Sequence, residues 1–181
     1  MAGDIKVKFQ ATTVTVTTTN LVAACLNSAS LVSGWSGATQ SNLSGASKEC
    51  LDFLYSGQFT MNSGGTPSAG TINVYVVSSL NDTPTFTAVS SGALGTESAT
   101  PAVFSDVTMR DSICRLLCSI TTTATASRIY TFPQTGIAQL FGGVVPTHHA
   151  LWVTANVNTG TTANFIATCA IYQQPIIAQY T

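Results

Sequence analysis

The chain has 181 residues, of which 45% are hydrophobic and only 7% charged, with six Lys and Arg against seven Asp and Glu. Ordinary soluble domains carry roughly 25% charged residues, so this scarcity excludes whole classes of function. Nucleic-acid binding needs clustered cations to displace phosphate counterions, and Lys6, Lys8, Lys48, Arg110, Arg115 and Arg128 are scattered.

Period-two alternation of β-branched and aromatic residues predicts about eight strands. Ile5, Val7 and Phe9 form the first. Val14 and Val16 continue it after a slip at Ala11-Thr12 that reads as a bulge, and this N-terminal strand is expected to serve as an extended contact arm. A linker rich in Ser, Thr, Gly and Asn follows from Asn27 to Lys48. Leu51, Phe53 and Tyr55 make the next strand. Ile72, Val74 and Val76 follow, bounded by the turns Gly64-Gly65-Thr66-Pro67 and Asn81-Asp82-Thr83-Pro84. The connection from Asn81 to Pro101 is long for a compact domain, and loops of that length usually bind something. Further strands are expected over Val103–Val107, Cys114–Ile120, Arg128–Phe132, Leu151–Ala155 and Phe165–Tyr172. One short helix is expected over Thr135–Phe141, between Pro133 and Gly142-Gly143. The sum is a single all-β domain, 1–181: an antiparallel β-sandwich of about eight strands, jelly-roll-like, with one short helix.

Residues able to carry chemistry are few. Met1–Gln10 holds Asp4, Lys6 and Lys8 with no apolar block behind them, so no signal peptide is expected, and no apolar run reaches the length of a membrane span. Five cysteines, an odd number in apolar surroundings, read as reduced and buried, with Cys114, Leu116, Cys118 and Ile120 forming one core stripe. His148 and His149 are neighbours, and adjacent strand residues face opposite ways. They are read as capping the start of the Leu151 strand rather than sharing a metal ion. Asp106, Arg110, Asp111 and Arg115 are the only concentrated charge and read as a loop salt bridge, within the chain or across a subunit boundary. No Gly-x-Ser-x-Gly elbow or phosphate loop occurs. Seven carboxylates and two histidines offer little for acid–base work. The expectation is a protein that is not an enzyme and takes no cofactor or metal.

Two segments carry a resemblance. Leu80-Asn81-Asp82-Thr83-Pro84-Thr85-Phe86, after the strand Asn73–Val77, resembles a segment of a family of tailed-bacteriophage virion proteins. Ile137–Pro146, followed by Trp152-Val153, Asn156 and Gly160, resembles that family's C-terminal signature, and Leu51-Asp52-Phe53 fits its earlier strand. Where members often carry a charged turn, this chain reads Gly34-Trp35-Ser36-Gly37. The resemblance implies a β-sandwich virion structural protein of the capsid cement or decoration type. Such a protein is made in the host cytoplasm and held on the capsid surface by the major capsid protein. A homo-oligomer is expected, a trimer being favoured, with no nucleic-acid or membrane partner. Ser and Thr, about a quarter of the chain, suit a surface that must be desolvated against other subunits. Candidate capsid or subunit contacts are Lys6 and Lys8, the loop residues Asp82, Thr83 and Pro84, and the charged group Asp106, Arg110 and Asp111. The alternative is a tail or head-fibre adhesion module, in which Trp35 or Trp152 would stack on carbohydrate.

Overall fold

The computed structural model describes residues 5–10, 13–25, 28–42, 50–63, 67–79, 86, 90–92, 94–157 and 166–180. In chain order its elements are β1 (Ile5–Phe9), β2 (Val14–Val16), α1 (Leu21–Ala24), β3 (Ser33–Ser36), β4 (Gln40–Ser41), β5 (Cys50–Met61), β6 (Gly70–Ser79) and β7 (Ala102–Val103). There follow α2 (Val107–Ile113), β8 (Cys114–Thr122), β9 (Ile129–Gly136), a 3-10 turn (Ala138–Phe141), β10 (His148–Ala155) and β11 (Ile166–Tyr180). The first sheet runs β1-β11-β5-β9, with β2 also on β11; the second runs β7-β3-β10-β6-β8, with β4 also on β10. Every pairing is antiparallel, giving the expected all-β sandwich.

Alternation fixes which face of each strand is buried. Along β5, Phe53, Tyr55, Gly57, Phe59 and Met61 turn inward and their neighbours outward. They meet Ile72, Val74, Leu151 and Val153 of the second sheet, with Leu21, Trp35 and Phe132 closing the inter-sheet core. By contrast β10 is buried at all eight positions. Its other face lies under a second cluster of Tyr75, Val77, Phe86, Leu94, Ala102, Phe104, Cys114 and Trp152. Part of the 86–104 segment thus roofs the outer side of the second sheet as a third layer. The outer face of the first sheet has no such roof among the described residues.

Two details make the crowded centre possible. A Cβ on Gly34 would stand 2.1 Å from the carbonyl oxygen of Val153, so only glycine lets β3 lie against β10 here. Thr154, fully buried on β10, donates its hydroxyl to Ser33 O at 2.6 Å. Thr154→Val keeps the shape and removes that bond; a loss of about 1 kcal/mol in unfolding free energy is expected from urea titration.

Several local expectations are corrected. The linker between residues 27 and 48 carries β3 and β4. The strand expected over Val103–Val107 stops at Val103, because Asp106 caps a helix that begins at Val107. The helix expected over Thr135–Phe141 is a 3-10 turn of four residues, since β9 continues to Gly136; left-handed Gly142 (φ 72°) ends it. The expected stripe Cys114, Leu116, Cys118, Ile120 is broken by a register shift, where Tyr75 faces Leu116 and Val74 faces Cys118. The extra residue, Leu117, is buried while Leu116 is 46% exposed, so Cys114 joins the second cluster and Cys118 packs on the inter-sheet core. The proposed slip at Ala11-Thr12 lies outside the described residues.

Candidate interaction surface

The least buried element is β1. It pairs with the end of β11, Ile5 opposite Tyr180 and Phe9 opposite Ile176, and all five of its residues are exposed. Ile5, Val7 and Phe9 share one face and are 62%, 65% and 60% exposed. The β5 strand reaches only to Cys50, opposite Ile177, so β1 and residues 178–180 continue as a two-stranded ribbon among the described residues.

Hydrogen-bond phase adds to this. Gln10 N–H donates to Pro175 O at 2.9 Å, in register with the β1–β11 pairs. In an antiparallel ladder bonded and non-bonded positions alternate. Lys6 and Lys8 are therefore the positions bonded to β11, and Ile5, Val7 and Phe9 direct their backbone N–H and C=O to the open edge. The two lysines share the face opposite the apolar residues. Among the described residues the ion pair is Arg110 Nε to Asp111 Oδ1, 2.7 Å, and neither lysine has one.

Of the remaining candidate contacts, Asp82, Thr83 and Pro84 lie outside the described residues. The described flank of their loop is turned inward, Phe86 and Leu94 being in the second cluster. Glu97 ties it down further. Its carboxylate accepts from the Asn20 backbone N–H and side-chain amide, both at 2.7 Å, and from the Trp35 indole at 3.3 Å. Burial pushes its pKa up, but these bonds outweigh that and hold it below the usual carboxylate range.

The salt bridge expected in this charged group is present within the chain, Arg110 to Asp111, but it sits on a capped helix rather than a loop, and Asp106 is the cap. Asp106 Oδ1 accepts from Met109 N–H at 2.8 Å, a bond that lowers its pKa. Arg110 is only 9% exposed: its Nη1 donates to Leu31 O at 2.8 Å, and its guanidinium lies 5.3 Å from the centre of the Tyr75 ring. Arg110 thus braces α2 onto the second sheet from within, leaving Asp106 at the surface.

The histidines are strand residues rather than caps. His148 and His149 are buried at the first two positions of β10. Gln173 Nε2 donates to Tyr55 Oη at 2.6 Å, and the Tyr55 hydroxyl and His149 Nε2 share a hydrogen bond of 2.8 Å. Burial, helped by His148, drives the His149 pKa down to about 3. Burial likewise raises the Cys25 and Cys114 thiols to about 12 and Cys118 to about 11, and lifts Cys169 well above its ordinary value. None of the five cysteines is in a disulfide; Cys25 and Cys114 are buried as expected, whereas Cys50, Cys118 and Cys169 are half-buried, and these shifts keep the four named here as thiols at neutral pH. Trp35 and Trp152 have no exposed surface, so neither can stack on a sugar.

A hollow of about 440 Å³ opens between β2 and the start of β11 and is lined largely by threonines. Among the described residues no cluster of three or more His, Cys, Asp or Glu is placed to hold a metal ion. No helix among them is long and apolar enough to cross a membrane. The fold and the ribbon define a charge-poor β-sandwich whose β1 edge is unpaired among the described residues. No protein-family model matches the sequence, and no curated protein is similar to it at a significant level.

Proposed function

We propose that this chain is a non-enzymatic structural protein of a bacteriophage virion, of the capsid cement or decoration type. It binds the outer capsid surface through the major capsid protein, as a homo-oligomer with a trimer favoured, after synthesis in the host cytoplasm. The observation that carries this reading is β1: three large apolar side chains more than half exposed on a strand whose far edge is unpaired among the described residues. Exposed edges of this kind are a liability that free monomers blunt or cover. A protein that must clamp subunits of a finished shell needs such an edge, because main-chain pairing supplies affinity without a deep pocket. Many copies around symmetry axes turn weak single contacts into firm attachment.

The neutral outer face of the first sheet supports the same reading. It presents Ser56, Gln58, Thr60, Thr131 and Gln134, hydroxyl and amide groups that cost less to desolvate than charges. Burial of Trp35 and Trp152 removes the sugar-stacking residues on which the adhesion alternative rested.

Cryo-electron microscopy with mass spectrometry of virions purified from the lysate in which the chain is made tests the proposal. The expected result is density for the sandwich at many sites on the capsid exterior, together with a closed oligomer by light scattering in solution. Confinement to a few copies on the tail would replace this reading by adhesion. Absence from particles would overturn it.

A further inference from the structure

We infer that the open edge of β1 receives an extended partner strand in which apolar residues alternate with carboxylates, the carboxylates standing opposite Lys6 and Lys8. The inference rests on the functional reading above and names the chemistry of the partner's contact segment. It follows from where β1 keeps its few polar groups. A chain with six basic residues in all places two of them on one face of one five-residue strand. Neither has an ion-pair partner among the described residues.

Backbone phase sharpens the requirement. Since Ile5, Val7 and Phe9 offer N–H and C=O outward, an incoming antiparallel strand bonds at those three positions. Lys6 and Lys8 then fall at the non-bonded pairs, where facing side chains come closest, with Cα atoms about 4.5 Å apart. A cation at that spacing favours an opposite charge across the gap and repels a like one.

The same phase argues against a second copy of β1 as the occupant. An antiparallel copy that keeps apolar residues against apolar residues sets Ile5 on Phe9, Val7 on Val7, and Lys6 on Lys8 twice over. Shifting the register by two residues leaves lysine facing lysine. Shifting it by one breaks the hydrogen-bond phase and sets lysine against isoleucine, valine or phenylalanine. Each in-phase antiparallel register that pairs three or more of these five residues thus sets lysine on lysine, so the alternation Ile-Lys-Val-Lys-Phe favours an acidic counterpart over a second copy of itself.

Fluorescence anisotropy with the full chain decides the matter. The probes are two labelled peptides, Thr-Val-Glu-Val-Glu-Val-Thr and its lysine counterpart Thr-Val-Lys-Val-Lys-Val-Thr. Wild type is expected to bind the acidic peptide about tenfold more tightly than the basic one, the sum of two favourable and two relieved cross-strand pairs. Lys6→Glu with Lys8→Glu, a change confined to exposed positions, is expected to reverse the preference. Val7→Pro deletes an N–H that points to the open edge and none that bonds β11, so it is expected to abolish binding of both peptides while thermal unfolding stays cooperative.

Equal binding of the two peptides by wild type, or an unchanged preference in the double charge reversal, would overturn the inference. So would full affinity in a folded Val7→Pro chain. If the chain decorates capsids but shows no acidic preference, this inference fails and the function stands. Acidic preference in a chain absent from virions does the reverse.

Discussion

Replacing Trp152 by alanine is expected to lower the unfolding free energy by about 4 kcal/mol, near the upper range for truncating a buried aromatic. Its side chain has no exposed surface, and its ring meets Phe104 edge-on at 4.9 Å and Tyr75 at 5.5 Å. Its indole N–H donates to Ala102 O at 3.3 Å, tying β10 to the segment that roofs it. The neighbours are anchored on other elements and can close the gap only in part, so a void remains. Urea unfolding followed by far-UV circular dichroism measures the loss, and limited proteolysis within residues 86–104 reports release of the roof. A cost under about 1 kcal/mol would show that the second cluster is not a true core.

Acid is expected to weaken the fold well above the range in which ordinary carboxylates titrate. His149 is held neutral down to about pH 3, whereas an exposed imidazole takes its proton near pH 6.5. Between those values the unfolded chain binds a proton that the folded chain refuses. The stability gained by keeping the ring neutral is therefore complete above about pH 6.5 and falls by about 1.4 kcal/mol for each pH unit below it. From pH 6.5 to 4.5 the expected loss is about 2.3 kcal/mol. Glu97 and Asp106, whose pKa values are lowered, lose their contributions in more acidic solution, so this window isolates the histidine. His149→Gln retains a partner for Tyr55 and is expected to flatten the profile across the window. A variant as acid-sensitive as wild type would assign the effect elsewhere.

What could be read from sequence differs from strand to strand. Alternation identified β5 and its inward face directly, because one side of that strand meets the core and the other meets solvent. The same alternation in β1 says nothing about burial, since an edge ribbon and a half-buried strand share one pattern; the exposure of Ile5, Val7 and Phe9 emerges only from their pairing. Their interleaving with Lys6 and Lys8, on a chain otherwise nearly free of charge, was the available signal. In β10 the run His-His-Ala-Leu-Trp-Val-Thr-Ala is buried on both faces, and nothing local announces the roof formed by residues from Phe86 to Phe104. Helix α2 hid for a different reason. Asp106 three residues before Met109 is a capping arrangement, but β-branched Val107 beside it reads as the end of a strand. β11 runs on past Tyr172 because Pro175, which has no N–H to give, contributes only its carbonyl oxygen to Gln10.

The position of β10, packed on both faces, and of β1, packed on neither, sets a gradient of local opening across the molecule. Amide hydrogens of β10 should exchange only when the whole domain opens, and those of β1 by fraying of the ribbon alone. A partner strand added to β1, as inferred above, would order a fraying edge, and replacements in β1 that change its recognition would leave the scaffold of β5, β6 and β10 intact.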